Sequence, residues 1–548
     1  MVIVRLSCHN TSACTPPVHV VRKRQDKTEM KRHKSHKEKE HLSHKSAQLG
    51  NKHCVNTRHS VPWVGEVSVT KVCIVTFLAL SGAAIVLHDM GYLSRSPEPD
   101  HRTTFHHSEL SQPRPAPLKG GWRTAEEDIL HKYDSSLCLV DRVFADRITV
   151  DQFEREYQNK KPVIIKFRNG ARGWTQPELW SVDGLRHSHG PQGLMVGVSR
   201  EIVQNGGNGY VETTVTDFID SIQAAKSDKQ NEPFYVFDRA FIQDSHLLNT
   251  LNPPEYLSIR PQRDDSFFFL GSSGSGVSFH NHAEAWNGVV YGSKRWFLYS
   301  KETAPPGGVY PGYSQLDWFS KVYPVLSETQ KPVECVQQAG EIIYLPEGMY
   351  HGTINIGDTV AVGIQKKEAT LPEMKLQYEE TQLSKEESSE VPSRTSRRFE
   401  CIKTLHSLLP DNTEWEMRLG EILFTEMNQP GEGIHHTEQV LQKDPFFLLA
   451  LINLANFQAE IGQYEEAEIL FVRALEQNPT AWDVYAQYGT FLFKQRRFSE
   501  AVSLFEKGFE LKPNEKAFLI YLRNCQIQMG DHSAVQITQR KLDEFHQL

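Results

Sequence analysis

The sequence predicts a multidomain chain in which a disordered basic tail and one membrane-spanning helix precede a β-rich domain and a C-terminal stack of helical repeats. Three observations carry this prediction. A basic start is followed by a single long uncharged apolar run at residues 72–87. Two later blocks with the alternation typical of β-strands contain three histidines and a lysine. Near the C-terminus, proline, alanine and aromatic residues recur at a constant spacing.

The N-terminal tail differs from the rest of the chain in charge and composition. The 548 residues are enough for about three or four domains, and the 39% of hydrophobic residues suits folded domains. The net charge of −8 is unevenly distributed, because residues 1–71 are markedly basic. Residues 22–45 contain almost no core-forming side chains, so we expect residues 1–70 to be a disordered cytosolic tail. Its lysines and histidines could contact RNA or anionic lipid, but no specific nucleic-acid site is predicted.

Residues 72–87 carry no charge, and the predicted span 71–88 approaches the ~20 residues that cross a bilayer. The excess of positive charge on its N-terminal side predicts that the tail is cytosolic and the remainder luminal. A buried helix and a cleaved signal peptide are the alternatives. We expect a single-pass type II anchor, with the C-terminal part in the lumen of the endoplasmic reticulum. A Pro- and His-rich stalk is expected to follow over residues 89–130.

Four of the eight cysteines lie on the predicted luminal side, at Cys138, Cys335, Cys401 and Cys525. They allow up to two disulfide bonds in any of three pairings. If one bond forms, we expect Cys138 with Cys335, because both flank the same domain. No CxxC motif is present, so neither a zinc ribbon nor a thioredoxin-like redox function is indicated.

The predicted β-rich domain spans residues 131–370. Its beginning, residues 148–167, has the pattern of an amphipathic helix followed by a buried strand. Short apolar runs at residues 234–237 and 267–270 are typical of further core strands.

Three histidines within this domain have the pattern of a metal site. His280 and His282 lie two residues apart in the block 267–299, so on a strand their side chains project from the same face. His351 follows a strand and turn in the block 340–365. A third ligand from a distant strand completes a facial set of three on one metal and leaves the other coordination positions open. This geometry is what an oxygen-activating iron site needs.

Together with Lys294, the two blocks resemble those of the jumonji C branch of the 2-oxoglutarate oxygenases, over roughly residues 134–365. The resemblance implies a double-stranded β-helix (cupin) fold. It also implies Fe(II) and 2-oxoglutarate as cofactors, and hydroxylation of a protein or peptide substrate.

The resemblance also implies functions for individual residues. His280 and His351 match the metal histidines, and Lys294 matches the lysine that holds the far carboxylate of 2-oxoglutarate. Asn287 matches a residue that lines the cosubstrate pocket in some relatives, and Asn355 belongs to a His-X-X-X-Asn pattern of the same kind. Each asparagine could equally satisfy backbone groups in a turn.

His282 departs from the family pattern, because it stands where most active members carry Asp or Glu. We expect His282 to be the third metal ligand, with Glu284, two residues further along, as the alternative ligand. The leading interpretation is a membrane-anchored oxygenase. The alternative is a catalytically inactive luminal scaffold that lacks the usual metal-binding carboxylate. A nuclear enzyme steered by the basic tail requires residues 72–87 to be a buried helix.

The C-terminal region, residues 399–548, is periodic and follows a predicted charged linker at residues 371–398, which could also have helical character. The spacing of 34 residues is shared by three groups: Pro445, Pro479 and Pro513; Ala467 and Ala501; Phe471 and Phe505. This period predicts two full tetratricopeptide repeats of two helices each, with capping helices on either side. Such stacks bind protein or peptide partners on a concave surface. A packing or dimerisation module is the alternative.

Overall fold

The computed structural model describes residues 120–125, 138–224, 232–385 and 391–545. The predicted cytosolic tail and the predicted span 71–88 lie outside the described residues. Within these ranges, no helix is both long and apolar enough to cross a membrane. All described residues belong to one compact unit, Cys73–Leu548.

The first part of this unit is a β-domain. Its strands are β1 (Asp141–Phe144), β2 (Val163–Lys166), β3 (Gly193–Gly197), β4 (Val211–Thr214), β5 (Tyr235–Asp238), β6 (Ser266–Gly271), β7 (Gly276–His280), β8 (Ala285–Tyr299), β9 (Val333–Gln338), β10 (Ile342–Leu345) and β11 (Tyr350–Gln365). Its helices are α1 (Val150–Glu156), α2 (Val182–His189), α3 (Ser199–Gln204), α4 (Val215–Ala224), α5 (Ala240–Asp244) and α6 (Gln315–Asp317). The helix and strand expected within residues 148–167 are α1 and β2, and the two expected core strands are β5 and β6.

The long strands β8 and β11 each belong to two layers. The first half of β8 pairs with β10 and its second half with β9, while β11 pairs with β7 and then with β6. Both strands bend at a glycine, Gly292 (φ 78°) and Gly357 (φ 73°), in a backbone conformation that other residues rarely adopt. The layers β10–β8–β11–β6 and β7–β11–β8–β9 therefore share two strands, which is the arrangement of the predicted cupin fold.

Residues 120–125, which the sequence analysis assigned to the stalk, pack against the β-domain instead. Trp122 is fully buried, and its Nε1 donates a hydrogen bond to the carbonyl oxygen of Trp180 at 3.1 Å. Arg123 forms an ion pair with Asp358 at 3.1 Å. The stalk prediction is wrong for these six residues, because a single buried tryptophan just beyond the Pro-rich part gives no periodic signal in the sequence.

A disulfide joins Cys138, just before β1, to Cys335 in β9. This is the pairing expected if one bond formed. The other two described cysteines, Cys401 and Cys525, are free and buried.

The second part of the unit is helical. Its helices are α7 (Pro372–Lys385), α8 (Val391–Leu408), α9 (Thr413–Thr425), α10 (Pro430–Lys443), α11 (Leu448–Glu460), α12 (Tyr464–Gln477), α13 (Trp482–Lys494), α14 (Phe498–Leu511), α15 (Lys516–Met529) and α16 (His532–Glu544). The pairs α11–α12 and α13–α14 are the two predicted repeats, and their periodic residues Ala467, Ala501, Phe471 and Phe505 are buried. The neighbouring pairs α9–α10 and α15–α16 flank them as expected.

The predicted linker, residues 371–398, contains α7 and the first part of α8, in agreement with the helical character that its sequence allows. Arg398 is 1% exposed and donates to Glu380 at 2.8 Å and to Glu426 at 2.5 Å. This segment is held by buried ion pairs, so its charged sequence lacks the apolar stripe by which packed helices are recognised.

The helical repeats dock directly on the β-domain through the short helix α3. Arg200 donates to both carboxylate oxygens of Asp483 at 2.5 and 2.6 Å. Glu201 accepts a hydrogen bond from Nε1 of Trp482 at 2.7 Å and forms an ion pair with Lys512. Four charged residues form this contact. Arg200, Glu201 and Lys512 are buried, and Asp483 is partly exposed.

Candidate functional site

The three predicted metal histidines lie together at one end of the layer β7–β11–β8–β9. His280 ends β7 and faces His351 near the start of β11 in the strand pairing. His282 reaches the same point from the turn between β7 and β8, and not by strand alternation as expected, because β7 ends at His280. One nitrogen of each imidazole lies within 4.8 Å of the others.

The hydrogen bonds of the three imidazoles leave one nitrogen of each for a ligand. In His280, His282 and His351, Nδ1 is 2.9, 2.6 and 2.9 Å from a backbone carbonyl oxygen. Since a carbonyl oxygen only accepts hydrogen bonds, Nδ1 carries the proton and Nε2 keeps its lone pair. Burial lowers the pKa of all three imidazoles, that of His282 to about 3. At neutral pH they are therefore neutral donors, which suit Fe(II) among other divalent transition metals.

Glu284, the alternative ligand, faces a different environment. Its side chain is buried, and Oε1 accepts a hydrogen bond from the hydroxyl of Tyr344 at 2.6 Å. Its Oε2 is 3.9 Å from Nζ of Lys366. Glu284 does not line the cavity that contains the three histidines.

Lys294 is buried deeper in the same cavity. Its Nζ donates to the hydroxyl of Tyr235 at 2.7 Å and to Oδ1 of Asn355 at 2.9 Å, and none of the described carboxylates pairs with it. Burial lowers the pKa of Lys294 to about 7. An ammonium group has three donors, so one remains for a ligand in the cavity. An anion there would also compensate the buried charge.

The two candidate asparagines have different positions. Asn287 lines the cavity, and its buried Oδ1 has no hydrogen-bond partner among the described residues. The hydroxyl of Thr353, in the same cavity, is also buried without a partner. Asn355 is fully buried behind Lys294, where its Nδ2 donates to Oγ of Ser275 at 2.9 Å. Unpartnered polar atoms beside an unpaired lysine fit a polar, anionic ligand such as 2-oxoglutarate.

Sequence reasoning missed the aromatic wall of this cavity. Its members are Tyr235, Phe237, Phe267, Phe269, Trp286 and Trp296. Tyr235 and Phe237 are two residues apart in β5, and Phe267 and Phe269 are two residues apart in β6. This spacing could have indicated that each pair projects from one face of its strand. No aspartate or glutamate lines the described cavity.

Comparison with known proteins assigns both parts of the chain. The model of the cupin-like domain family matches residues 150–364. Two models of the tetratricopeptide repeat match residues 424–488 and 483–515.

Several characterised proteins are similar to part of this chain. JmjC domain-containing protein 8 of Mus musculus is 29% identical over 252 residues, 45% of this chain and 90% of the relative. The bifunctional arginine demethylase and lysyl-hydroxylase psr-1 of Caenorhabditis elegans is 26% identical over 280 residues, 45% of this chain and 66% of the relative. The 2-oxoglutarate and iron-dependent oxygenase JMJD4 of Gallus gallus is 31% identical over 126 residues, 20% of this chain and 28% of the relative. With the fold and the family models, these similarities establish that the chain carries a cupin-like JmjC domain followed by C-terminal tetratricopeptide repeats.

Proposed function

We propose that this protein is a membrane-anchored Fe(II)- and 2-oxoglutarate-dependent oxygenase that hydroxylates a protein side chain. The observation that carries the proposal is one cavity in which three neutral imidazoles present Nε2 beside a buried lysine without an anionic partner. Relatives whose names include lysyl-hydroxylase and iron-dependent oxygenase support the reaction class.

Each residue of the site has a definite task in this proposal. His280, His282 and His351 would hold the metal ion through Nε2. Lys294 would bind the far carboxylate of 2-oxoglutarate by a charge-assisted hydrogen bond, and Asn355 would orient the ammonium group. Bound Fe(II) with 2-oxoglutarate supplies the oxidising chemistry that side chains lack. The aromatic wall would exclude water from the reacting groups.

Conversion of 2-oxoglutarate to succinate by the purified full-length chain with Fe(II) tests the reaction class. We expect succinate formation in the wild type and its loss in His351→Ala. A wild-type protein that binds neither iron nor 2-oxoglutarate would defeat the proposal. Such a result would favour the second candidate, a catalytically inactive scaffold, to which the absence of a carboxylate at position 282 gives specific support.

We further propose that residues 71–88 anchor the chain in the membrane of the endoplasmic reticulum, with the JmjC domain in the lumen. The Cys138–Cys335 disulfide supports this location, because disulfides persist in oxidising compartments and are rare in the cytosol. In intact microsomes, a C-terminal epitope should resist added protease until detergent is present. Digestion without detergent would contradict the luminal orientation.

The tetratricopeptide repeats are proposed to recruit the protein substrate or a partner, as this class of repeat commonly binds peptides. Deletion of the repeats is not a clean test, because they dock on the JmjC domain through buried charges. Affinity capture with the full chain, compared with variants on the exposed repeat surface, separates recruitment from stability.

A further inference from the structure

A second cationic side chain packs against an aromatic residue that lines the cavity. Arg239 directly follows β5, whose Tyr235 and Phe237 line the cavity. Its guanidinium carbon is 4.3 Å from the ring centre of Phe267, which is also a lining residue.

One buried donor of Arg239 has no acceptor among the described residues. Its Nε is buried and makes no hydrogen bond. The adjacent Asp238 is occupied, since its carboxylate accepts from the backbone amides of Met195 and Phe241 at 2.6 and 3.1 Å. Asp265 acts on Arg239 only through its electrostatic field, without an ion pair between them. A partly buried donor left without a partner costs free energy, which a ligand with an acceptor would recover.

Arg239 and Lys294 stand at two ends of one aromatic row. Nζ of Lys294 is 5.5 Å from the ring centre of Phe269. The Phe269 and Phe267 rings are nearly parallel, with centres 6.1 Å apart, and Arg239 covers Phe267. The row separates two cationic sites, and one small dicarboxylate held at Lys294 would leave Arg239 unpaired.

The charge of the whole cavity points in the same direction. None of the described residues that line the cavity is acidic. A divalent cation bound by the histidines, together with Lys294 and Arg239, would carry more positive charge than a single dicarboxylate neutralises. A cavity of this sign attracts a second anion.

We infer that Arg239 binds a carboxylate of the protein substrate, so that the modified residue lies beside an aspartate or glutamate. Arginine suits this task because its planar guanidinium forms paired hydrogen bonds with a carboxylate. This inference rests on the proposed function, since the peptide would enter the oxygenase cavity. Arg239 is thereby a specificity-determining residue, distinct from the groups that hold the metal and cosubstrate.

The test uses the full-length chain, loaded with Co(II) and 2-oxoglutarate, on an array of nonapeptides. Each acidic peptide has a matched form in which Asp and Glu are replaced by Asn and Gln. We expect acidic forms to be retained over their amide forms by roughly tenfold or more, the value of a charge-assisted hydrogen bond. The preference should vanish in Arg239→Gln and persist in part in Arg239→Lys. Arg155→Gln, at an exposed position on α1, is the matched control and should keep the preference.

Metal and 2-oxoglutarate binding, measured by calorimetry on the same preparations, separates the two proposals. Arg239→Gln should bind both as the wild type does, which also shows that the variant is folded. Equal retention of acidic and amide forms by the wild type, retention of no peptide, or an unchanged preference in Arg239→Gln would each overturn the inference. Absence of metal and cosubstrate binding in the wild type would defeat the oxygenase proposal instead.

Discussion

At the scale of single residues, His282 determines the charge of the candidate metal centre. With a pKa lowered to about 3, its imidazole is neutral at physiological pH, as are those of His280 and His351. A metal ion held by these three groups would keep its full charge. Anionic ligands from outside the protein would then neutralise the part of the metal charge that an aspartate or glutamate at position 282 neutralises in the usual family pattern.

The first prediction concerns His282→Asp. If three histidines are the working ligand set, this change should lower Fe(II)-dependent succinate formation, because the shorter carboxylate does not reach the position of Nε2. His435→Asp, at an exposed position on α10, is the control and should leave the turnover of 2-oxoglutarate unchanged. A rise in uncoupled turnover in His282→Asp would instead identify a degraded oxygenase that the carboxylate repairs.

The second prediction concerns Lys294 and pH. Its pKa in the folded protein, about 7, lies below the ordinary 10.5 because the ammonium is buried without a carboxylate. The charged form binds the dicarboxylate and is lost as pH rises through this pKa, so 2-oxoglutarate affinity should fall between about pH 6.5 and 8.5, by up to tenfold per unit above the pKa. Calorimetry over this range measures it, and a dissociation constant that does not change with pH would contradict the proposed cosubstrate contact.

The sequence identified residues that belong to local motifs better than residues that act through distant contacts. His280, His282 and Lys294 lie within one short block of sequence, so their pattern could be recognised without the structure. Tyr235 reaches Lys294 only because β5 and β8 border the same cavity, although the two residues are 59 positions apart. Such a contact depends on strand order and register, which alternation alone does not specify.

At the scale of elements, periodicity was informative where apolar contacts hold the helices together. The residues that recur every 34 positions are small and aromatic residues that are buried between helices. The helices α11 to α14 could therefore be predicted from this spacing. For α7 and α8 the sequence allowed helical character but showed no packing pattern, because their packing depends on Arg398 bonded to Glu380 and Glu426. Ion pairs between helices leave no apolar stripe in the sequence.

The third prediction compares two adjacent arginines of α8. Arg398→Ala leaves the buried carboxylate of Glu380 without its hydrogen-bond partner and should lower the free energy of unfolding by roughly 3–5 kcal/mol. Arg397→Ala removes a pair with Glu379 whose arginine is 55% exposed, and should cost less than about 1 kcal/mol. Denaturant unfolding monitored by circular dichroism measures both variants. Equal effects would mean that the α7–α8 pair is not held by its buried charges.

At the scale of the whole molecule, α3 connects the repeats to the candidate site. Its Arg200 and Glu201 contact the repeats, while Oγ of Ser199 is 3.0 Å from Oγ of Ser278, two residues before His280 on β7. Nothing in either domain's own pattern predicted this connection, since its partners lie up to 311 positions apart. The membrane segment, by contrast, was visible only in the sequence and stays a prediction.

The fourth prediction follows from this connection. Asp483→Asn keeps the shape of the side chain but removes the charge that pairs with buried Arg200, so we expect a lower unfolding midpoint and weaker metal binding. Asp411→Asn, at an exposed position outside this contact, should change neither quantity. Unaltered metal affinity in a destabilised Asp483→Asn would show that docking of the repeats does not support the site.

The most direct measurement of the proposed function is binding of Fe(II) and 2-oxoglutarate to the full-length protein, purified without oxygen. We expect about one iron per chain in the wild type and its loss in His351→Ala. Cosubstrate binding should be lost in Lys294→Ala while iron is retained. A folded wild-type protein that binds neither iron nor 2-oxoglutarate would contradict the oxygenase proposal and leave the cavity without catalytic function.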